Sequence, residues 1–254
     1  MNKSLNKSFL SDQCKEIILG SLLGDGSLKI QSFYKNARFS FRHSVGQKEY
    51  FFWKAQQLKE ISGNSDIWEQ EADGFGGKKL RYQSRALRSL TELHQLISKK
   101  NHLVIRRKWL NQLTPLSLAI WWLDDGSIIG NGRKGVFCTD SFSLKEQKIL
   151  AKYLMKVWGV RVTIGKIVRL WKGRKREYYR LWIRSAEELK KFLCIILPFF
   201  PNTPSMLPKI LLLYKDSQLQ QRWISEVSKA TGFSQPLIEK YLAEKKHRWL
   251  AFRK

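Results

Sequence analysis

The strongest constraint on this chain is an internal repeat with a spacing of about one hundred residues. Residues 18–26 read Ile-Leu-Gly-Ser-Leu-Leu-Gly-Asp-Gly, and residues 118–126 read Leu-Ala-Ile-Trp-Trp-Leu-Asp-Asp-Gly. Both segments are apolar and compatible with a helix, both end in Asp-Gly, and each is followed by a serine, Ser27 or Ser127. A repeat of this kind predicts two similar halves within one chain.

The residues after the first segment alternate in polarity as in half-buried strands. Ala37, Phe39 and Phe41 are separated by polar residues, so they are expected to face the core from one side of a strand. An amphipathic helix is predicted over 47–61. The first half is completed by strands over 66–70 and 80–85 and a helix over 87–97.

The second half shows the same order of patterns. Ser143 and Glu146 have the spacing of a capping box, which predicts the start of a helix that runs to about residue 158. Ser185 is expected to cap a final helix. The remaining elements are strands over 127–129, 136–141, 161–171 and 178–184 and a closing helix over 185–197.

Each half therefore has the predicted order α-β-β-α-β-β-α. The fold class is α+β, with two pseudo-symmetric halves built on saddle-shaped antiparallel sheets, plus a C-terminal helix-turn-helix extension. The chain corresponds to the covalent version of a symmetric dimer, so a monomer is expected. The predicted segments are an N-terminal basic arm over 1–9, a first repeat over 10–113, a second repeat over 114–212 and a basic extension over 213–254.

The extension has the layout of a helix-turn-helix over residues 224–242. Gly232 is predicted to make the left-handed turn, Phe233 to fill the core, and Ser234 to cap a second helix. That second helix would lie in a DNA groove, with Gln235 as a contacting residue. An ordinary helical hairpin is the alternative.

The composition narrows the class of partner. The chain has 254 residues and a formal net charge of +26, from 47 Lys and Arg against 21 Asp and Glu. A surplus of this size predicts binding to a polyanion: nucleic acid, an anionic membrane or the RNA of a ribonucleoprotein. The longest apolar run, residues 192–200, is too short to span a bilayer. No pattern in the sequence supports binding to a membrane surface, so no membrane partner is expected. The three cysteines form no zinc-ligand pattern, and their odd, scattered count predicts a reducing, intracellular compartment. As a separate expectation, the protein is organellar, from a mitochondrion or a chloroplast.

The repeated acids have the chemistry of a metal-dependent hydrolytic centre. Carboxylates hold divalent cations, and such cations stabilise both oxygens of a phosphodiester that is being hydrolysed. If the two apolar helices pack together, small residues must allow close contact, and the first helix supplies Gly20 and Gly24. A single Asp-Gly pair is explained by turn formation alone. Its repetition with matching flanks favours a shared centre at Asp25 and Asp125.

At these residues the chain resembles the LAGLIDADG homing endonucleases, in the branch that carries two repeats in one chain. Residues 113–126, Leu-Thr-Pro-Leu-Ser-Leu-Ala-Ile-Trp-Trp-Leu-Asp-Asp-Gly, are similar to the second motif of that branch, and the similar order of elements covers about residues 10–212. The resemblance implies that Asp25 and Asp125 ligate Mg²⁺ (or Mn²⁺), assisted by the backbone carbonyls of Gly24 and Asp124. It also implies a staggered double-strand break across the minor groove.

The resemblance further implies a lysine near each metal pocket. The stretch Thr-Pro-Ser-Met-Leu-Pro-Lys at 203–209 makes Lys209 the catalytic candidate in the second half. In the first half Lys100 and Lys108 both remain candidates. The helix-turn-helix lies outside the core pattern of the family.

Strand alternation predicts one basic and amide-rich face on each sheet, which suits DNA binding in the major groove. The predicted DNA-binding residues of the first half are Lys29, Gln31, Arg38, Ser40, Arg42, Arg81, Gln83 and Arg85. Those of the second half are Arg133, Lys134, Arg161, Thr163, Lys166, Arg169, Lys172, Arg174, Arg180, Trp182 and Arg184.

The sequence therefore predicts a site-specific, intron-encoded homing endonuclease that requires Mg²⁺ and acts on a long double-stranded DNA target. Two alternatives use the same scaffold. An RNA-binding intron maturase needs the basic surface but not the acids. A regulator of transcription with a LAGLIDADG-like domain and a helix-turn-helix is favoured only by the C-terminal extension.

Overall fold

The computed structural model describes residues 9–72, 77–100, 102–130, 132–171 and 173–251 of the chain. It divides into two compact units, Met1–Ser117 and Leu118–Lys254. The boundary lies inside the helix that carries the second Asp-Gly motif, and residues 213–254 belong to the second unit. Residues 1–8 of the predicted N-terminal arm lie outside the described residues, and so does the predicted DNA-binding residue Lys172.

The first unit contains the predicted order of helix, two strands, helix, two strands and helix. Its helices are α1 (Asp12–Ser21), α2 (Lys48–Gln57), α3 (Arg88–Ile97) and the short α4 (Arg107–Leu110). Its strands are β1 (Ser27–Lys29), β2 (Arg38–Ser44), β3 (Ile67–Gln70), β4 (Lys79–Gln83), β5 (Ser98–Lys99) and β6 (His102–Leu103). An antiparallel sheet pairs four of these strands in the order β1-β2-β4-β3.

The first sheet buries one face because its strands alternate in polarity, as predicted. Phe39 and Phe41 of β2 are buried together with Tyr82 of β4. Helices α2 and α3 pack on this face, and the ring of Phe51 in α2 lies 5.1 Å from that of Phe41. The other face of the sheet carries mainly polar side chains, together with Trp68 of β3, which lies beside Arg81 of β4.

The second unit repeats this architecture. Its helices are α5 (Pro115–Asp125), which begins in the first unit, α6 (Leu144–Trp158), α7 (Ala186–Ile196), α8 (Ser217–Thr231) and α9 (Gln235–Ala251). Its strands are β7 (Gly126–Ile129), β8 (Lys134–Phe137), β9 (Thr163–Trp171) and β10 (Arg174–Ile183). They pair in the order β7-β8-β10-β9, which is the strand order of the first sheet, so the predicted α+β fold with two similar halves is confirmed.

Local signals located the helix ends of the second unit correctly. The Ser143 hydroxyl accepts a hydrogen bond from the Glu146 backbone N–H and the Glu146 carboxylate accepts one from the Ser143 N–H, so the predicted capping box is present. Ser185 caps α7 through the N–H of Glu188. Gly232 ends α8 in the left-handed conformation, with φ of 78°.

The C-terminal helices α8 and α9 pack on the core of the second unit. Trp223 of α8 is fully buried, and Phe233 in the turn between the helices lies with its ring 6.2 Å from that of Phe200. The layout of a helix-turn-helix is therefore present, but its inner surface is used for packing. Among the described residues, no helix is both long and apolar enough to cross a membrane.

Candidate active site and nucleic-acid interface

The first acid is presented by a tight turn at the end of α1. The backbone N–H groups of Gly24 and Gly26 both donate to the carbonyl of Ser21, at 2.9 and 2.7 Å, so the chain wraps around the last residue of the helix. A Cβ atom on Gly26 would lie 2.7 Å from the Ser21 carbonyl, which explains why glycine follows the acid. The turn leaves the side chain of Asp25 39% exposed, accessible to a ligand from solvent.

A buried histidine lies beside this acid. Nδ1 of His43 is 3.4 Å from Oδ2 of Asp25, and the His43 side chain is 1% exposed. Its position in β2 follows from the alternation that buries Phe39 and Phe41. Extending that alternation by two residues would have predicted a core histidine, but no local pattern relates it to Asp25.

The second acid is the last residue of α5, whereas the first acid follows the end of α1. The carbonyl of Asp125 accepts a hydrogen bond of 3.0 Å from the N–H of Cys138, which aligns the helix end with the residue after β8. A Cβ atom on Gly126 would lie 2.2 Å from the Trp122 ring, so glycine is again required after the acid. Burial raises the pKa of the Cys138 thiol, which keeps it uncharged near this carboxylate.

Lys209 lies beside the second acid, as the sequence resemblance implied. Its Nζ donates to the backbone carbonyls of Leu123 and Asp124, the latter at 3.2 Å. The carbonyl of Lys209 accepts a hydrogen bond of 2.7 Å from Nε1 of Trp122. A cation at the C-terminal end of a helix is stabilised by the free carbonyls and the helix dipole. The catalytic role assigned to Lys209 remains a prediction.

The structure leaves both first-half lysines open as candidates. Lys100 is exposed, in the left-handed conformation with φ of 50°. Lys108 lies on α4 and lines a cavity of about 590 Å³ in the first unit, together with Asp12 and Lys15.

The donor groups of both units fit a hard divalent cation. Asp25 and Asp125 offer carboxylate oxygens, while Gly24 and Asp124 offer backbone carbonyls. Asp25 is accessible to solvent, and the Asp124 carbonyl already accepts a hydrogen bond from a positively charged group, the Lys209 ammonium. Oxygen donors of this kind suit Mg²⁺ and Mn²⁺ better than softer metals.

The polar face of the first sheet gathers most of the predicted DNA-binding residues of that half. The pairing Ser27–Ser40 and Lys29–Arg38 places β1 and β2 side chains on one face, and Ser40–Gln83 and Arg42–Arg81 extend it to β4. Two predicted residues lie elsewhere. Gln31 follows the end of β1, and Arg85 follows β4 and donates to the Glu60 carbonyl at 2.9 Å.

The second sheet has a corresponding face on β9 and β10. The pairs Thr163–Trp182 and Arg169–Arg176 share it with Arg174 and Arg180, because antiparallel partners and every second residue point to the same side. Asp140 accepts two hydrogen bonds from Arg180, at 2.5 and 2.7 Å, so part of this cation's charge is already neutralised.

Lys166 departs from the predicted surface. It pairs across the sheet with Tyr179, which puts it on the side of the buried Leu181, and its Nζ forms an ion pair with Glu177. Since the side chains of a β-strand alternate, Lys166 lies on the face opposite Arg169, away from the basic face of the second sheet.

The remaining predicted residues lie around these strands. Arg133 precedes β8 and Lys134 begins it, while Arg184 follows β10 and donates to the Thr163 hydroxyl at 2.9 Å. The backbone N–H of Arg161 donates to Glu188. Gln235 is exposed at the start of α9 and accepts a hydrogen bond from Gln221.

Two units with the same strand order, each with an acid at the end of its first helix and a basic sheet face, define the LAGLIDADG class of protein. The model of the LAGLIDADG DNA endonuclease family matches residues 15–192, and the chain belongs to this family. The region beyond residue 192 lies outside this match.

The chain is also similar to individual proteins of known name and to solved structures. The chain is 33% identical to Protein RecA of Mycobacterium gastri over 175 residues and 31% identical to cytochrome b mRNA maturase bI2 of Saccharomyces cerevisiae over 173 residues. These matches cover 62% and 64% of this chain but only 39% of each relative. The homing endonuclease I-WcaI bound to its DNA recognition sequence has the same fold, with a TM-score of 0.67 and 19% identity over 84% of this chain and 96% of that one.

Proposed function

We propose that this protein is a site-specific homing endonuclease that makes a staggered double-strand break in a long DNA target by metal-dependent hydrolysis. The observation that carries the proposal is the matched pair of acids, Asp25 and Asp125. Asp25 follows α1 and Asp125 ends α5. Each precedes a glycine that close packing requires and a strand of a sheet with a basic face. Membership of a DNA endonuclease family supports the same activity.

The acids would hold Mg²⁺ or Mn²⁺ through their carboxylates, with the carbonyls of Gly24 and Asp124 as further oxygen donors. When bound, the cation supplies charge stabilisation for the attacking and leaving oxygens of the phosphodiester. Lys209 would hold a positive charge next to the second acid and orient the carbonyl of Asp124. Each acid would serve one strand of the duplex.

The two polar sheet faces would bind the DNA. Their arginines, lysines and amides match the donors that contact phosphates and base edges in the major groove. The neighbour I-WcaI is itself described as bound to its DNA recognition sequence, which supports double-stranded DNA as the partner of this chain. A monomeric state and an organellar origin remain predictions.

Replacing both acids by asparagine tests the catalytic assignment. Each of Asp25→Asn and Asp125→Asn removes a metal-binding charge, so we expect each to slow double-strand cleavage roughly 100-fold or more. The double variant should not cut, while its affinity for the target DNA in Ca²⁺ should persist. Glu71→Gln, which removes an exposed acidic charge from the same unit, is the control and should cut like the parent protein. Cleavage by the double variant in Mg²⁺ would show that the active site is elsewhere.

An intron maturase is the second candidate function, favoured by the matches to cytochrome b mRNA maturases. The acids separate the two activities, because RNA binding does not need them. If the double asparagine variant supports splicing of an intron RNA as well as the parent protein, and the parent cuts no DNA from a randomised library, the maturase function is the better description.

A regulator of transcription is less well supported. Its one sequence signal is the C-terminal extension, and the inner surface of α8 and α9 packs against the rest of the second unit.

A further inference from the structure

The backbone segment that carries Lys209 is held by hydrogen bonds from side chains to its carbonyl groups. Five consecutive backbone carbonyls, from residue 208 to residue 212, each accept a hydrogen bond from a side chain. The donors are Lys245 for Pro208 and Leu211, Trp122 for Lys209, Trp223 for Ile210 and Gln220 for Leu212. All of these donors except Trp122 belong to the C-terminal helices α8 and α9.

Lys245 makes the largest contribution to this arrangement. Its Nζ donates to the carbonyls of Pro208 and Leu211, both at 2.7 Å, and thus bridges the two residues that flank Lys209 and Ile210. The residue is only 8% exposed. A lysine is rarely buried to this extent unless its donors are used, because an unsatisfied amine or ammonium is costly in the interior.

Both protonation states of Lys245 can maintain the bridge. Burial, and to a smaller extent the nearby Arg248, lower the pKa of Lys245 to about 7. A neutral amine still has two N–H groups, one for each carbonyl, so the bridge does not require the charge.

The bridge leads directly to the second acid. Lys209 lies between the two bridged carbonyls, and its own Nζ reaches the carbonyls of Leu123 and Asp124. Ser127, Lys209, Lys245 and Arg248 line one cavity of about 330 Å³. A displacement of the 208–211 backbone would therefore move the Lys209 ammonium away from the end of α5.

We infer that Lys245 is a positioning residue for Lys209, and that the C-terminal helices are a working part of the second catalytic half. This inference rests on the proposed endonuclease function. The extension thereby gains a role in cleavage, in place of an independent DNA-binding role. Because Lys209 lies next to Asp125 in the second unit, its misplacement should affect cleavage of one DNA strand.

Lys245→Met tests the inference, since methionine retains the length and apolar stem but has no donor. The experiment is single-turnover cleavage of a target DNA with each strand labelled separately, at saturating enzyme and at a temperature well below the melting temperature of every variant. We expect one strand to be cut about 10- to 100-fold more slowly, with accumulation of nicked DNA, because small misplacements of catalytic groups cost this much. Affinity for the target in Ca²⁺ should be unchanged.

Two further variants make the comparison specific. Lys245→Gln keeps N–H donors on a shorter side chain and should recover part of the lost rate, and it serves as the test protein if the methionine variant does not fold. Lys240→Met removes an exposed lysine from the same helix, so both strands should be cut at equal rates whatever its effect on affinity.

The outcomes separate this inference from the function on which it rests. Equal cleavage of both strands by the Lys245 variants, at the parental rate or at an equally reduced rate, would overturn the positioning role. Absence of cleavage by the parent protein on its selected target would instead overturn the proposed function.

Discussion

A single buried lysine couples the stability of the second unit to pH. The pKa of Lys245 is lowered to about 7 by burial, whereas an unfolded chain restores it to about 10.4. Between these values the unfolded state binds more protons than the folded state, so stability rises with pH in this window. The destabilisation that comes from burying the charged lysine is fully present below the folded pKa, and it disappears as the pH rises through the unfolded pKa.

The comparison of the parent protein with Lys245→Met isolates this effect from other titrating groups. The range from about pH 7.5 to about pH 9 lies between the folded and unfolded pKa values of Lys245. Over this range the free energy of unfolding of the parent should rise relative to that of the variant. The gain should be on the order of 1 kcal/mol per pH unit. The measurement is denaturant unfolding at several pH values, and parallel profiles would contradict the assignment.

At the level of elements, α1 depends on a close backbone contact at Gly20. An ideal Cβ atom there would lie 2.3 Å from the carbonyl oxygen of Ser117 and 2.9 Å from its Cα, and backbone atoms cannot rotate away. The Ser117 hydroxyl also donates to the carbonyl of Glu16 at 2.9 Å. The glycine that sequence analysis assigned to close helix packing thus meets a neighbouring backbone within the first unit.

Gly20→Ala should therefore destabilise the protein although alanine favours helices. Intrinsic propensity would favour alanine by about 1 kcal/mol, but overpacking against a fixed backbone typically costs about 1–3 kcal/mol, and the second effect should prevail. Gly77→Ala is the control, because an added Cβ there meets nothing within 4 Å. The measurement is the melting temperature of both variants, which should be lower for Gly20→Ala. Equal melting temperatures would mean that the backbone contact with Ser117 relaxes to accommodate the methyl group.

At the scale of the whole molecule, the distribution of positive charge should determine how the protein binds DNA. The net charge is +26, and each unit directs a basic sheet face to solvent. The exposed β9–β10 hairpin provides an internal comparison, since Arg174 lies on the same face as Arg180 while Lys166 lies on the other with Glu177. The face of a strand on which a cation lies should decide whether it contacts DNA.

Salt dependence tests that assignment. Affinity should fall steeply with salt, with a log–log slope of about 0.9 per phosphate contact. Arg174→Gln should lower the slope by about one and weaken binding to target and unrelated DNA alike. Lys166→Gln, on the opposite face of the same hairpin, should leave the slope unchanged. Filter binding or fluorescence anisotropy over a range of salt concentrations measures the affinity and the slope. An equal decrease of the slope in both variants would show that the two faces are wrongly assigned.

Most of the fold could be predicted because its signals are local. Period-two alternation identified the faces of β2 and β10, Ser143 and Glu146 located the start of α6, and Gly232 located the end of α8. The two Asp-Gly motifs indicated the acids and the repeated order of elements. These signals rest on interactions between residues a few positions apart, which a sequence displays directly.

The surroundings of the acids were decided only by the tertiary structure. His43 approaches Asp25 from another element, and Lys209 reaches the end of α5 across 85 residues of sequence. Lys245 belongs to the predicted basic extension over 213–254, yet it is buried against the carbonyls of Pro208 and Leu211. By itself the sequence determined the repeated fold, the pair of acids and the basic strand faces, since each depends on spacing along the chain. Which side chains support the acids depends on how distant elements pack, and spacing does not encode that.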